Sequence, residues 1–165
     1  MVKTLGLTHL ALSVSDLNRS FQFYHDVFGM LAVFREPDFI QAQTPGSQDI
    51  IVFEKAEGDH IGQSGGIKHF GFRLADPRDI EKAARAIEQA GGKITRRGEF
   101  IPGEPYVFFK DPDGYEVEIG TSCPPRDCAD RSCARTAGHN RGSHLLRHFR
   151  VIYVIIRIDP SIRRG

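Results

Sequence analysis

The sequence predicts an α+β fold in which two βαβββ modules pair into a curved mixed sheet around a concavity. Three observations carry this. Gly6-Leu7-Thr8-His9-Leu10-Ala11-Leu12 returns sixty residues later as Gly66-Ile67-Lys68-His69-Phe70-Gly71-Phe72, with Asp16 and Asp76 at the same offset. Each copy is followed by a helical period and then by three extended runs, and the composition changes after Ser122. A repeated supersecondary unit usually cannot bury its apolar face alone and pairs with its copy.

In the first copy, alternation from Leu7 to Val14 sets His9, Ala11 and Ser13 on one face and Leu10, Leu12 and Val14 on the other, the pattern of a half-buried strand. Asp16 suits a helix N-cap. Leu17, Phe21, Tyr24 and Phe28 follow at helical spacing, and Gly29 ends the run. Extended runs come next at Met30 to Arg35, Phe39 to Thr44 and Ile50 to Glu54, parted by Glu36-Pro37-Asp38 and Pro45-Gly46-Ser47. Residues 55–65, rich in glycine and charge, read as a linker.

The second copy repeats the order. His69, Gly71 and Arg73 share one face of its first strand, opposite Phe70, Phe72 and Leu74. Asp76-Pro77 supplies a cap and an N1 proline for an amphipathic helix through Ile80, Ala83, Ala84, Ile87 and Ala90, stopped by Gly91-Gly92. Strands are expected at Lys93 to Arg97, Tyr106 to Lys110 and Tyr115 to Ile119, the last two joined by the turn Asp111-Pro112-Asp113-Gly114. The module limits are about 5–54 and 66–120, within a domain of residues 1–122.

Composition narrows the function classes. With 165 residues and a net charge of +1, the chain has the balance of a soluble globular protein. Residues 1–122 carry 13 Lys+Arg against 18 Asp+Glu, a net of −5, whereas residues 123–165 carry 9 Arg against 3 Asp, a net of +6. No opening apolar h-region and no run near the ~20 apolar residues of a membrane span are present. The expectation is a cytoplasmic protein with a small-molecule substrate and neither a membrane nor a nucleic-acid partner. Residues 123–165 hold all three cysteines but no Lys or Glu, and read as an extension, disordered or foreign to the domain. Cys123, Cys128 and Cys133 with His139, His144 and His148 do not show the usual C-x2–4-C pairs of a zinc site.

In both modules the first strand turns its apolar side to the helix and its histidine side the other way. Two histidines on equivalent strands of a pseudo-symmetric pair can meet at one point, and imidazole is the commonest side-chain ligand for transition metals. The last strand offers a carboxylate, since Glu116 and Glu118 share a face. Either would make a two-histidine, one-carboxylate set with positions left open for substrate. Arg73 and Tyr106 are candidates to grip an anionic or carbonyl substrate. His25 and His60 read as surface residues.

The segments Gly6 to Leu17, Phe23-Tyr24, Phe28-Gly29-Met30, Gly66 to Phe72 and Asp111 to Ile119 resemble the vicinal oxygen chelate superfamily, which includes glyoxalase I, fosfomycin- and bleomycin-resistance proteins and extradiol dioxygenases. The resemblance covers residues 4 to about 120. It implies a divalent metal ion, Fe, Mn, Ni or Zn, held by His9, His69 and Glu118, with Glu118 preferred over Glu116 and directly involved in catalysis. It also implies an enzyme, a lyase or isomerase, transferase or dioxygenase, whose substrate chelates the metal through vicinal oxygens. The alternative it allows is a metal-free, bleomycin-resistance-like binding protein with Phe39, Tyr106 and Phe108 among its pocket residues. Glyoxalase I-like members take a fourth ligand from the last strand of the first module. Alignment puts Val52 there, and Glu54 reaches the metal only in a shifted register. Homodimers, some formed by exchange of modules, are implied as well, so the two histidines meet either within one chain or across two.

Overall fold

The computed structural model describes residues 2–4 and 6–121. The tail, with its cysteines and its three histidines, lies outside the described residues. Two four-stranded mixed sheets and two helices make the α+β fold expected, and the sheets curve without closing. In the first module β1 (Leu10–Val14), α1 (Leu17–Phe28), β2 (Leu31–Arg35), β3 (Phe39–Gln43) and β4 (Ile50–Lys55) form a sheet ordered β1-β4-β3-β2. In the second, β5 (Phe70–Arg73), α2 (Ile80–Gln89), β6 (Lys93–Glu99), β7 (Pro105–Lys110) and β8 (Glu116–Gly120) form β5-β8-β7-β6. In each sheet the first strand is an edge and runs parallel to the last, while the other pairs are antiparallel.

Local chemistry fixes these elements. The Asp16 carboxylate accepts the backbone N–H of Asn18 at 2.9 Å and of Arg19 at 3.0 Å, satisfying two donors that the first turn of α1 leaves without partners. Gly29 ends α1 in the left-handed region at φ 68°, its N–H donating to the His25 carbonyl. His25 is more than a surface residue, because its Nδ1 donates to the Met30 carbonyl at 2.9 Å and fixes the chain as it leaves the helix. Asp76 accepts from the Arg78 N–H, and Pro77–Asp79 form a short 3₁₀ turn ahead of α2.

The inner faces of both sheets enter one core. Leu12, Val14, Ile40 and Phe53 of the first module cluster with Val107, Phe109, Val117 and Ile119 of the second, with Phe23, Tyr24, Ala84 and Ile87 from the helices between them. Phe28 stacks on Phe72 at 4.0 Å between ring centres, and Tyr24 touches both Phe53 and Phe72. Burying aromatic rings of this kind contributes about 1.5–3 kcal/mol each.

The turn that feeds β8 ties the modules together. Asp111 accepts the backbone N–H groups of Asp113, Gly114 and Tyr115 and the Tyr24 hydroxyl. Burial pushes the Asp111 carboxyl above the ordinary aspartate value, and burial followed by the neighbouring Asp111 charge pushes the Tyr24 phenol well up. Asp113 accepts from the Ser15 N–H and hydroxyl, the Ser20 hydroxyl and the Arg19 guanidinium, the last at 2.6 Å. Gly62 of the linker passes so close that a Cβ there would sit 2.2 Å from the Asp113 carbonyl oxygen.

Candidate functional site

Because the inner faces share a core, the histidine faces are the outer ones. On the second sheet, register aligns Gly71, Glu118, Phe108 and Arg96 in one row across β5, β8, β7 and β6. Paired residues project to the same side of a sheet, so all four positions share the face of His69 and Arg73. His69 Nε2 lies 3.1 Å from Glu118 Oε2. The His69 ring stands edge-on to Phe108, with centres 4.9 Å apart, and Phe108 in turn meets Tyr106 edge-on at 5.5 Å. Phe108 is only 3% exposed although it lies outside the common core, so it floors the site.

A small cavity of about 320 Å³ is lined by His69, Gly71, Arg73 and Glu118. Gly71 leaves room there, since an added Cβ would meet the Glu118 Cβ and carbonyl oxygen at a tight 3.2 Å. The His69 and Glu118 donor atoms fit a divalent ion. Two donors each about 2.1 Å from a metal and at right angles are about 3.0 Å apart.

His9 does not join them. It is exposed, with Nδ1 3.0 Å from the Thr8 hydroxyl, and lines a larger cleft of about 950 Å³ that reaches Ile50 and Ile51 on one side and Phe70 to Phe72 on the other. Among the described residues no three His, Cys, Asp or Glu side chains converge as a metal site. The cause is the common core, which turns both histidine faces outward instead of toward each other. Both histidines lie at the free edge of their sheets.

Register also locates the fourth-ligand position. Ala11 pairs with Val52 as Gly71 pairs with Glu118, so Val52, 6% exposed, is the counterpart of Glu118 in the first module. Glu54 pairs with Ser13, two residues further from His9, or ~6.6 Å along the strand. The matching row of the first sheet reads Ala11, Val52, Gln41 and Phe34, with only Gln41 polar. Phe39 stacks on Phe34 at 5.6 Å and belongs to this sheet, away from His69 and Glu118. Glu116 shares the face of Glu118 and pairs with Lys110 at the start of β8, the end nearer His69, but it is Glu118 that the His69 imidazole meets.

Arg96 stands on the same face as His69 and Glu118, a placement that alternation alone does not find. Plain alternation puts it with Ile94 on the core side. A β-bulge between Ile94 and Arg96 shifts the register, so that Ile94 pairs with Phe109 and Arg96 with Phe108. The first module has the same bulge between Ala32 and Phe34. The repeat is the signal that would have exposed it.

The chain belongs to the Glyoxalase/Bleomycin resistance protein/Dioxygenase superfamily, whose family model matches residues 6–119. It is similar to the glutathione transferase FosA of Serratia marcescens, 28% identical over 69% of this chain and 79% of that one. It is also similar to the lactoylglutathione lyase of Haemophilus influenzae, 30% identical over 70% of this chain and 91% of that one. A solved structure of the fosfomycin resistance protein FosX from Listeria monocytogenes, a glutamate-to-glutamine variant complexed with Mn(II) and 1S,2S-dihydroxypropylphosphonic acid, superimposes with a TM-score of 0.60. That match is 18% identical and covers 71% of this chain and 90% of the other. Among the described residues no helix is long and apolar enough to cross a membrane.

Proposed function

We propose that the protein is a divalent-metal-dependent enzyme acting on a small molecule that presents two adjacent oxygens. The observation that carries this is the convergence of His69 Nε2 and Glu118 Oε2 at 3.1 Å beside the gap left by Gly71. His9 is the third ligand, supplied by a second copy, because β1 and β5 are both sheet edges and the common core holds His9 away from its own chain's pair. A homodimer is therefore the working unit. The metal binding of FosX supports this reading, and Mn, Fe, Ni and Zn all suit the donor set.

A divalent ion held there supplies Lewis-acid stabilisation of negative charge developing on substrate oxygens. The rest falls to the chain. Phe108 stands edge-on against His69, Tyr106 stands edge-on against Phe108, and Arg73 lines the same cavity as His69 and Glu118. Val52 has no proton to move and no lone pair to donate. That favours addition of a nucleophile to a polarised substrate, as in a transferase or hydrolase, over an isomerisation that shuttles a proton between two carboxylates.

Native mass spectrometry of tag-free protein loaded with Mn, Fe, Ni or Zn tests the ligand set. His9→Ala, His69→Ala and Glu118→Ala each lose the metal while Glu116→Ala keeps it. Uptake of none of these ions by the parent protein would refute the metal reading and favour the metal-free binding protein.

A further inference from the structure

The two arginines that end the bulge of β6 go to opposite sides. Arg97 turns to α2, where it meets Glu81 at 3.5 Å and Glu88 at 3.9 Å. Arg96 turns to the outer face. Its guanidinium carbon lies 4.0 Å above the centre of Phe108 and 6.0 Å from that of Tyr106. Among the described residues no carboxylate pairs with it, although the face holds Glu118 and Glu116. A guanidinium spread over an aromatic ring keeps its N–H edge free to donate in the ring plane, the geometry that meets an oxyanion through two parallel hydrogen bonds.

Its position fixes what that oxyanion belongs to. Phe108 is the single ring between Arg96 and His69, with contacts of 4.0 Å on one side and 4.9 Å on the other. Tyr106 completes the platform by lying over Gly98, where a Cβ would come within 2.6 Å of the phenol oxygen. The ring itself is covered, and it holds the His69–Glu118 pair and Arg96 close enough together for one small molecule to reach both.

We propose, building on the metal reading above, that Arg96 selects the substrate: a small planar or compact oxyacid that places its vicinal oxygens at His69 and Glu118 and its carboxylate, phosphonate or phosphate on the Arg96 guanidinium. A second charge of the same sign, Arg73 on the opposite edge, adds to the attraction. The repeated bulge serves this end in the second module only, since its counterpart in the first carries Phe34.

Two probes with the same vicinal oxygen pair, catechol and 3,4-dihydroxybenzoate, differ by one carboxylate. Their affinities for the Zn(II)-loaded protein are measured by titration calorimetry. The parent protein prefers the acid by roughly tenfold or more, the usual return on a charge-assisted hydrogen bond. Arg96→Gln reduces that preference to about twofold or less while catechol affinity and zinc content stay unchanged. Arg96→Lys, which keeps the charge and the stem covering Phe108, retains a reduced preference and separates loss of charge from loss of packing. Equal affinity of the parent protein for both probes, or equal weakening of both by Arg96→Gln, would overturn the proposal. Failure to take up zinc and, in its place, Mn, Fe or Ni refutes the metal reading alone. The same pair is then compared on metal-free protein, where a charge preference that depends on Arg96 supports its role and no preference overturns it.

Discussion

Asp113→Ala should cost the domain about 2 kcal/mol of stability. The side chain is fully buried and receives four hydrogen bonds from the start of α1 in the other module. These four are not equal. Arg19 is 47% exposed, so water replaces its lost partner, and an ion pair of this kind contributes at most about 1 kcal/mol. The Ser20 residue is fully buried; its hydroxyl also reaches the Asp16 carbonyl, so it is not left stranded. Ser15 is exposed as well, so water reaches its N–H and hydroxyl, and the main loss is the set of bonds accepted by the buried carboxylate itself. Asp113→Asn keeps the shape and one acceptor oxygen and should cost about half as much. Arg19→Ala serves as the control at about 1 kcal/mol or less. Urea unfolding followed by circular dichroism reads all three, with one cooperative transition in each case. A loss below about 1 kcal/mol in Asp113→Ala, or a loss in Arg19→Ala as large as that in Asp113→Ala, would show that this turn does not hold the modules together.

Gly62→Ala places a methyl group against the Asp113 carbonyl at a backbone φ of +75°, and should lower stability by about 2–3 kcal/mol in the same assay. Asp111 gives a pH signature. Because burial holds its carboxyl above the ordinary value, the folded chain binds that proton more tightly than the unfolded chain and gains stability as the pH falls from the folded value toward the ordinary one. Measured against Asp111→Asn, the parent protein should gain relative stability over that window, and a difference that stays flat from about pH 7 to 4 would contradict it. A chain ending at Ser122 retains every core residue from Leu10 to Ile119. It should unfold cooperatively by circular dichroism and bind metal as the full chain does; an insoluble product would count against the 1–122 domain.

Much of the fold was legible because its signals are local. The repeat gave the modules, Asp16 the cap and Gly29 the stop, and the alternation of β1 and β5 gave the histidine faces. The choice of Glu118 over Glu116 and the fourth-ligand position at Val52 came from the family resemblance, and the register pairs Ala11 with Val52 as it pairs Gly71 with Glu118. What remained hidden is set by long-range packing or by a single inserted residue. Nothing local says that two apolar faces will share one core and so turn His9 away from His69. The bulge at Thr95 reverses the side on which Arg96 emerges, and strict alternation assigns it to the core. Asp113 reads as an ordinary turn residue until α1 of the other module is set beside it, and Gly62 as one more linker glycine.

The central claim is that His69 and Glu118 of one copy are completed by His9 of another. It is tested most directly by mixing. His9→Ala and Glu118→Ala proteins, each metal-free alone, are unfolded together, refolded and assayed for bound metal by mass spectrometry. Random pairing makes half the dimers mixed, each with one intact site of two, so the refolded mixture should hold about a quarter of the parent protein's metal. A mixture as empty as the separate variants would place all three ligands within one chain and contradict the account.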